Sequence, residues 1–156
     1  MGQENDGGCR GNAIQSFWGQ SSWADEGKLG KIHQFNKLFF FSADLQTEIK
    51  SFDAAINHPI ADFGVPSVAQ MNGILHSIDE ALQNGGKVYV HCRAGIGRTG
   101  TVAATWLANQ GMTSQAALDL LLQKWQAVDK HLEEPHTPET QAQRQFVLAW
   151  PSSLAS

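Results

Sequence analysis

The chain has no apolar run approaching the length of a membrane span, and its polar N-terminus lacks the apolar core of a signal peptide. These absences point to a cytoplasmic protein with no membrane partner. Cysteine is scarce: only Cys9 and Cys92 occur, and two thiols without a secretion signal read as reduced, not as a disulfide staple. Cys9 stands in Gly-rich sequence and reads as incidental. Lysine and arginine form no cluster, and the net charge of −4 argues against a nucleic-acid-binding surface. His131 and His136 lack the partner spacing of a zinc site, so neither a metal nor a cofactor is expected.

What is present fits one domain, since 156 residues suffice to bury a real core. Residues 1–15 are polar and Gly-rich and read as a loosely held tail, leaving 16–156 as the folded domain. Leu38-Phe39-Phe40-Phe41 is a short continuous apolar run, the pattern of a strand buried on both faces. Ser42 can cap a helix with Leu45, Ile49, Phe52 and Ile56 on one face, after which the chain extends from Ile56 to Ile60.

A second helix is predicted after Pro66. Ser67 and Gln70 have the spacing of a capping box, Met71, Ile74, Leu75, Ile78 and Leu82 form its core stripe, and Gly85-Gly86 stops it. Lys87 to His91 reads as the next strand. Val102, Ala103, Trp106 and Leu107 then mark a central buried helix ended by Gly111. Thr113 or Ser114 caps another, with Leu118, Leu121, Leu122, Trp125 and Val128 on one face. Thr137-Pro138-Glu139 supplies an N-cap, a first-turn proline and a first-turn acid for a last helix running to about Trp150. Strands alternating with helices predict an α/β domain whose central, mostly parallel sheet of about 4–5 strands is flanked by helices.

The chemistry concentrates in His91-Cys92-Arg93-Ala94-Gly95-Ile96-Gly97-Arg98-Thr99-Gly100, at the junction of a strand and a helix. A loop of this kind turns backbone N–H groups inward, and the helix N-terminus adds partial positive charge where a dianion can sit. Arg93 to Arg98 would line that cradle, and the Arg98 guanidinium presents a planar fork matched to two phosphate oxygens. The same field favours the thiolate of Cys92.

His-Cys, five residues, Arg, Thr resembles the signature of the cysteine-dependent protein tyrosine phosphatase superfamily, and Cys-Arg-Ala-Gly-Ile-Gly-Arg-Thr-Gly is similar to its small atypical dual-specificity branch. The resemblance implies that Cys92 attacks phosphorus to give a phosphocysteine and that Arg98 holds the phosphoryl oxygens. It also implies that the Thr99 hydroxyl bonds the departing thiolate. Thr99 reads equally as a helix-start hydroxyl. His91 is expected to order the loop through backbone hydrogen bonds.

A leaving alkoxide or phenoxide needs a proton. Asp62 stands in His58-Pro59-Ile60-Ala61-Asp62-Phe63-Gly64-Val65-Pro66, between a strand and a helix, on a loop able to swing over a pocket. The family's general acid is an aspartate in a similar Pro-Ile-X-Asp loop at about this distance before the cysteine, so the resemblance assigns that role to Asp62. A turn aspartate or N-cap is the alternative there, and Asp44 is a rival for the acid, although with Ser42 it reads as helix initiation. Asp62 would protonate the leaving group and then deprotonate water, giving a bell-shaped pH profile.

Pro138-Glu139-Thr140-Gln141-Ala142-Gln143 resembles the family's Glu-Thr-X-X-Gln helix, which maps a water-positioning glutamine to Gln143; an ordinary polar helix face is the other reading. The expected substrate is a phosphorylated protein or peptide carrying phosphotyrosine, with phosphoserine and phosphothreonine open. No segment matches the extra phosphotyrosine-recognition loop of the large tyrosine-specific domains. Ile96 in place of a second basic residue disfavours inositol phosphates. A catalytically weak phosphate-binding module, or a phosphatase of a non-protein ester, stays open.

The resemblance is strongest over 56–150. Trp23 to Gly30 resembles the family's early hairpin in abbreviated form, and Gly30 to Leu38 leaves no room for the helix usually found next. Without a replacement, the sheet near Phe39 to Phe41 would be uncovered on one face.

Overall fold

The computed structural model describes residues 37–40, 54–84, 88–92, 96–127 and 129–151. Three short strands, β1 (Lys37–Phe40), β2 (Ala54–Asn57) and β3 (Val88–His91), lie in the order β2-β1-β3. Both pairings are parallel, with Phe39 level with Ile56 on one side and Val90 on the other. Parallel strands need crossover connections, and α1 (Val68–Gln83) supplies the one from β2 to β3. The sheet is therefore parallel as expected, with three strands among the described residues. Ile56 belongs to β2, not to the helix predicted after Ser42. The rest of that helix, Phe41, the early hairpin and the N-terminal tail lie outside the described residues.

Ser67 caps α1 as predicted, its hydroxyl accepting from Gln70 N at 3.0 Å. The reciprocal half of the capping box does not form. Gln70 Nε2 donates instead to the Pro59 carbonyl at 2.6 Å, because the chain leaving β2 brings that carbonyl within reach of the helix's first turn. Met71, Ile74, Leu75 and Ile78 are buried on one face, and Leu82 is only partly covered at its end. Each such aliphatic side chain contributes roughly 1.5–3 kcal/mol by leaving water.

The next helix, α2 (Gly97–Asn109), is the centre of the molecule. Every residue from Gly97 to Ala108 is buried, and the helix packs on β3, α1, α3 (Ser114–Trp125) and α4 (Gln141–Leu148). A helix covered all round must satisfy its own polar groups. Thr101 and Thr105 do so by donating to the carbonyls of Gly97 and Thr101, each at 2.7 Å. Trp106 Nε1 and Gln110 Nε2 both donate to Asp79 Oδ1, fastening α2 to α1.

Thr113 is the N-cap of α3, accepting from Ala116 N at 3.1 Å. Its inner face is Ala117, Leu118, Leu121 and Trp125, with Leu122 half-buried beside them; Val128 lies outside the described residues. Trp125 Nε1 donates to the Glu134 carbonyl at 2.6 Å and so holds the return that follows a short 3-10 turn, Asp129–Leu132.

The last helix begins later than the sequence suggests. Thr140, not Thr137, is its N-cap, and Thr140 and Gln143 form a complete capping box. Thr137 has other work: its hydroxyl donates to the Ile96 carbonyl at 2.9 Å. Pro138 and Glu139 consequently precede the helix, which ends at Leu148, with Trp150 buried just beyond.

Candidate active site

Sheet register sets the frame of the site. Asn57 and His91, the last residues of β2 and β3, both sit level with Phe40 on the intervening strand. Parallel strands end on one edge, and neighbours are about 4.8 Å apart, so the segments following β2 and β3 leave the same edge about 10 Å from each other. Cys92 follows β3 directly, and Asp62 follows β2 by five residues. Two residues far apart in sequence are thereby delivered to one place.

Cys92 is buried, with 3% of its surface exposed. Arg93, Ala94 and Gly95 lie outside the described residues. The chain is described again at Ile96, also buried, which occupies the N-cap position of α2 and offers no side-chain cap. The first N–H groups of a helix have no partner within it, so an apolar N-cap leaves them for an anion or a loop.

Arg98 lies in the first turn of α2 and is only 5% exposed. Its two terminal nitrogens reach the loop after β2, Nη1 donating to the Ile60 carbonyl and Nη2 to Asp62 Oδ1, each at 3.0 Å. The residue expected to hold phosphate and the residue expected to donate the proton are thus directly bonded. Asp62 is more than half exposed and also accepts from Phe63 N at 3.1 Å on the same oxygen. Its Oδ2 has no hydrogen-bond partner among the described residues.

The loop bearing Asp62 is fastened on three sides. Gln70 of α1 takes the Pro59 carbonyl, Arg98 of α2 takes Ile60, and Gln143 of α4 takes Gly64 at 3.1 Å. The Ala61 carbonyl receives Gly64 N at 2.8 Å, closing a turn in which Phe63 adopts a φ of 58°. A left-handed phenylalanine is strained, and such conformations persist only where the surroundings impose them.

Thr99 Oγ1 is fully buried and has no hydrogen-bond partner among the described residues. A hydroxyl in that state retains its full capacity to bond an incoming or departing group. Gln143 is likewise fully buried, so the polar-face reading does not hold. Its Oε1 accepts from Thr140 N at 3.0 Å while Nε2 donates to Gly64, joining the last helix to the Asp62 turn.

The segment before α4 packs closely against the first turn of α2, at two glycines. A Cβ on Gly100 would stand 2.5 Å from Thr137 Oγ1, and one on Gly97 would stand 2.9 Å from Gln143 Oε1 and 3.1 Å from Glu139 Oε2. Glu139, expected as a first-turn acid, lies instead before the helix and against Gly97 at the opening of α2. Its proximity to Arg98 and Asp62 has no local signal beyond its place in Pro-Glu-Thr. Its pKa is raised from the ordinary 4.5, first by desolvation and then by the charges of Glu134 and Asp62, with Arg98 opposing them. His58, at the end of the strand region before the turn, is shifted down from 6.5 by burial.

Among the described residues, no three His, Cys, Asp or Glu side chains gather as a metal site, and no helix is long and apolar enough to cross a membrane.

A family model described as a polymorphic toxin system DSP-PTPase phosphatase matches residues 40–112. The crystal structure of Tk-PTP in the active form is 30% identical, with a TM-score of 0.65 over 79% of this chain and 83% of that one. An uncharacterized protein of Methanocaldococcus jannaschii is 44% identical over 54 residues, 35% of this chain and 37% of its own. Cyclin-dependent kinase inhibitor 3 of Sus scrofa is 37% identical over 67 residues, 42% of this chain and 32% of its own. These curated relatives are matched over about a third of their length, whereas the likeness to Tk-PTP spans most of both chains. With the Cys92 to Thr99 signature at the strand-to-helix junction, this places the chain in the cysteine-dependent protein tyrosine phosphatase superfamily, among the small atypical dual-specificity phosphatases.

Proposed function

We propose that the chain hydrolyses phosphomonoesters of phosphorylated proteins or peptides, with phosphotyrosine as the expected substrate group and phosphoserine and phosphothreonine as further candidates. The observation that carries this reading is the bonding of buried Arg98 to Asp62 at the sheet edge where β3 ends and Cys92 follows.

In the first step Cys92 Sγ forms a bond to phosphorus while the ester P–O bond breaks. The electron pair goes to the leaving oxygen, and the Asp62 carboxyl supplies its proton. Arg98 exchanges its loop contacts for phosphoryl oxygens, and the backbone N–H groups opening α2 share the developing charge. In the second step water attacks phosphorus, Asp62 takes its proton, and the S–P electron pair returns to sulfur. The Thr99 hydroxyl, without a partner among the described residues, then bonds the thiolate. His91 and the cradle Arg93-Ala94-Gly95-Ile96-Gly97 complete the phosphate site in this reading. Gln143, which supports the Asp62 turn, positions the hydrolytic water.

The test is hydrolysis of an aryl phosphate by the wild type, its inhibition by vanadate, and its loss in Cys92→Ser. Turnover that survives Cys92→Ser would sink the proposal. Tight phosphopeptide binding by a wild type that turns nothing over would replace it with a binding module.

A further inference from the structure

We propose that Glu139 is a second catalytic carboxyl of this site, sharing with Asp62 the transfer of protons to the leaving group and from water. The inference rests on the reading of Cys92 as nucleophile and deepens it.

Geometry is the first support. Glu139 Oε2 lies 3.1 Å from the position a Cβ on Gly97 would take, so the carboxyl rests against the residue that opens α2, next to Arg98. Its backbone is held in place. Arg144 Nη1 donates to the carbonyls of Pro138 and Glu139 at 2.8 and 3.1 Å, the capping box begins at the next residue, and Thr137 is bonded to Ile96. A main chain held on both sides fixes where this side chain leaves the backbone, at the opening of α2.

The second support is how the two carboxyls are engaged. Asp62 Oδ1 already accepts from Arg98 Nη2 and Phe63 N, both of which donate and neither of which can receive a proton from it. Glu139 is partly buried, and the charges of Glu134 and Asp62 act on it with that of Arg98 opposing, while Arg144 bonds its main-chain carbonyl. Those surroundings favour its neutral form, and a general acid must hold its proton at the working pH. The Asp62 charge is among the causes that hold the Glu139 carboxyl above its ordinary value.

The chemical step balances with either donor. As the Cys92 S–P bond forms and the P–O bond breaks, the leaving oxygen receives the electron pair and the Glu139 proton. As water then bonds to phosphorus and the S–P bond breaks, the Glu139 carboxylate receives the proton released by water.

The experiment compares wild type, Glu139→Gln, Asp62→Asn, the double variant and Cys92→Ser on aryl phosphates of graded leaving-group acidity across pH. Glu139→Gln keeps the shape of the side chain, and the contacts that hold this segment run through its main chain. The expected result is that each single variant retains part of the turnover while the double variant loses roughly 10²–10⁴-fold, with poor leaving groups suffering most. The alkaline limb of kcat should also move in Glu139→Gln. Glu139→Asp should recover part of the turnover. If Glu139→Gln changes neither the leaving-group dependence nor the pH profile, in the wild type or in Asp62→Asn, the proposal is overturned. Loss of activity in Cys92→Ser alongside that result leaves the nucleophile reading intact, whereas persistence of activity there sinks both.

Discussion

Gln143 Nε2 donates to the Gly64 carbonyl at 3.1 Å across 79 positions of sequence, tying the last helix to the turn that carries Asp62. Its Oε1 meanwhile caps Thr140 N from a site with no solvent exposure. Gln143→Ala should therefore strand a carbonyl and an N–H and open a void, costing about 2–4 kcal/mol. Chemical denaturation measures that loss. Turnover of poor leaving groups should fall further than turnover of good ones, because Asp62 loses an anchor.

Gly100→Ala puts a methyl 2.5 Å from Thr137 Oγ1, a separation that carbon and oxygen do not tolerate. Overpacking of this kind costs about 1–3 kcal/mol. Combining it with Thr137→Ala removes the clashing atom, so the double variant should be more stable than the two single losses predict. Thermal melts of the four proteins in this cycle give the coupling directly; strict additivity would show that the two residues do not meet.

Arg98→Lys keeps the charge but not the fork, so one ammonium must replace two nitrogens that reach Ile60 and Asp62 separately. Turnover of an aryl phosphate should drop by about a hundredfold or more, the usual loss for one transition-state donor. Lysine restoring full kcat would show that only a point charge is needed.

Two groups make stability depend on pH, with opposite signs. His58 is shifted below 6.5 by burial, so the unfolded chain binds more protons just below that pH. Its contribution is complete above 6.5 and is lost as pH falls from there toward the folded value. Glu139 is shifted above 4.5, so the folded chain binds more protons above that pH. Its contribution is complete below 4.5 and is lost as pH rises through the folded value. Glu139→Gln should accordingly raise the melting temperature near neutral pH and flatten the acid-side dependence, and His58→Gln should remove the rise in stability around 6.5.

Local chemistry was legible wherever neighbours in sequence are neighbours in space. The cap of α1 by Ser67, the stripe Met71, Ile74, Leu75 and Ile78, and the cap of α3 by Thr113 all depend on spacings of three or four residues along one helix. The start of α4 was misplaced for the opposite reason. Thr137 has the credentials of an N-cap, but its hydroxyl is claimed by Ile96 from another element, and Thr140 takes the helix instead. Gln70 shows the same competition, since a loop carbonyl outbids its own helix terminus.

By itself the sequence determined the family, because a thiol, a glycine-containing loop and an arginine at a strand-to-helix junction are specified by consecutive residues. It also nominated Asp62. Only the tertiary structure decided that Asp62 is bonded to Arg98, that three elements tether its turn, and that Glu139 and Gln143 stand against the opening of α2. Those relations arise where parallel strands end on one edge and a returning segment packs within van der Waals distance of glycines. Distances of that kind are set by the packing of remote elements, and no periodicity in the chain encodes them.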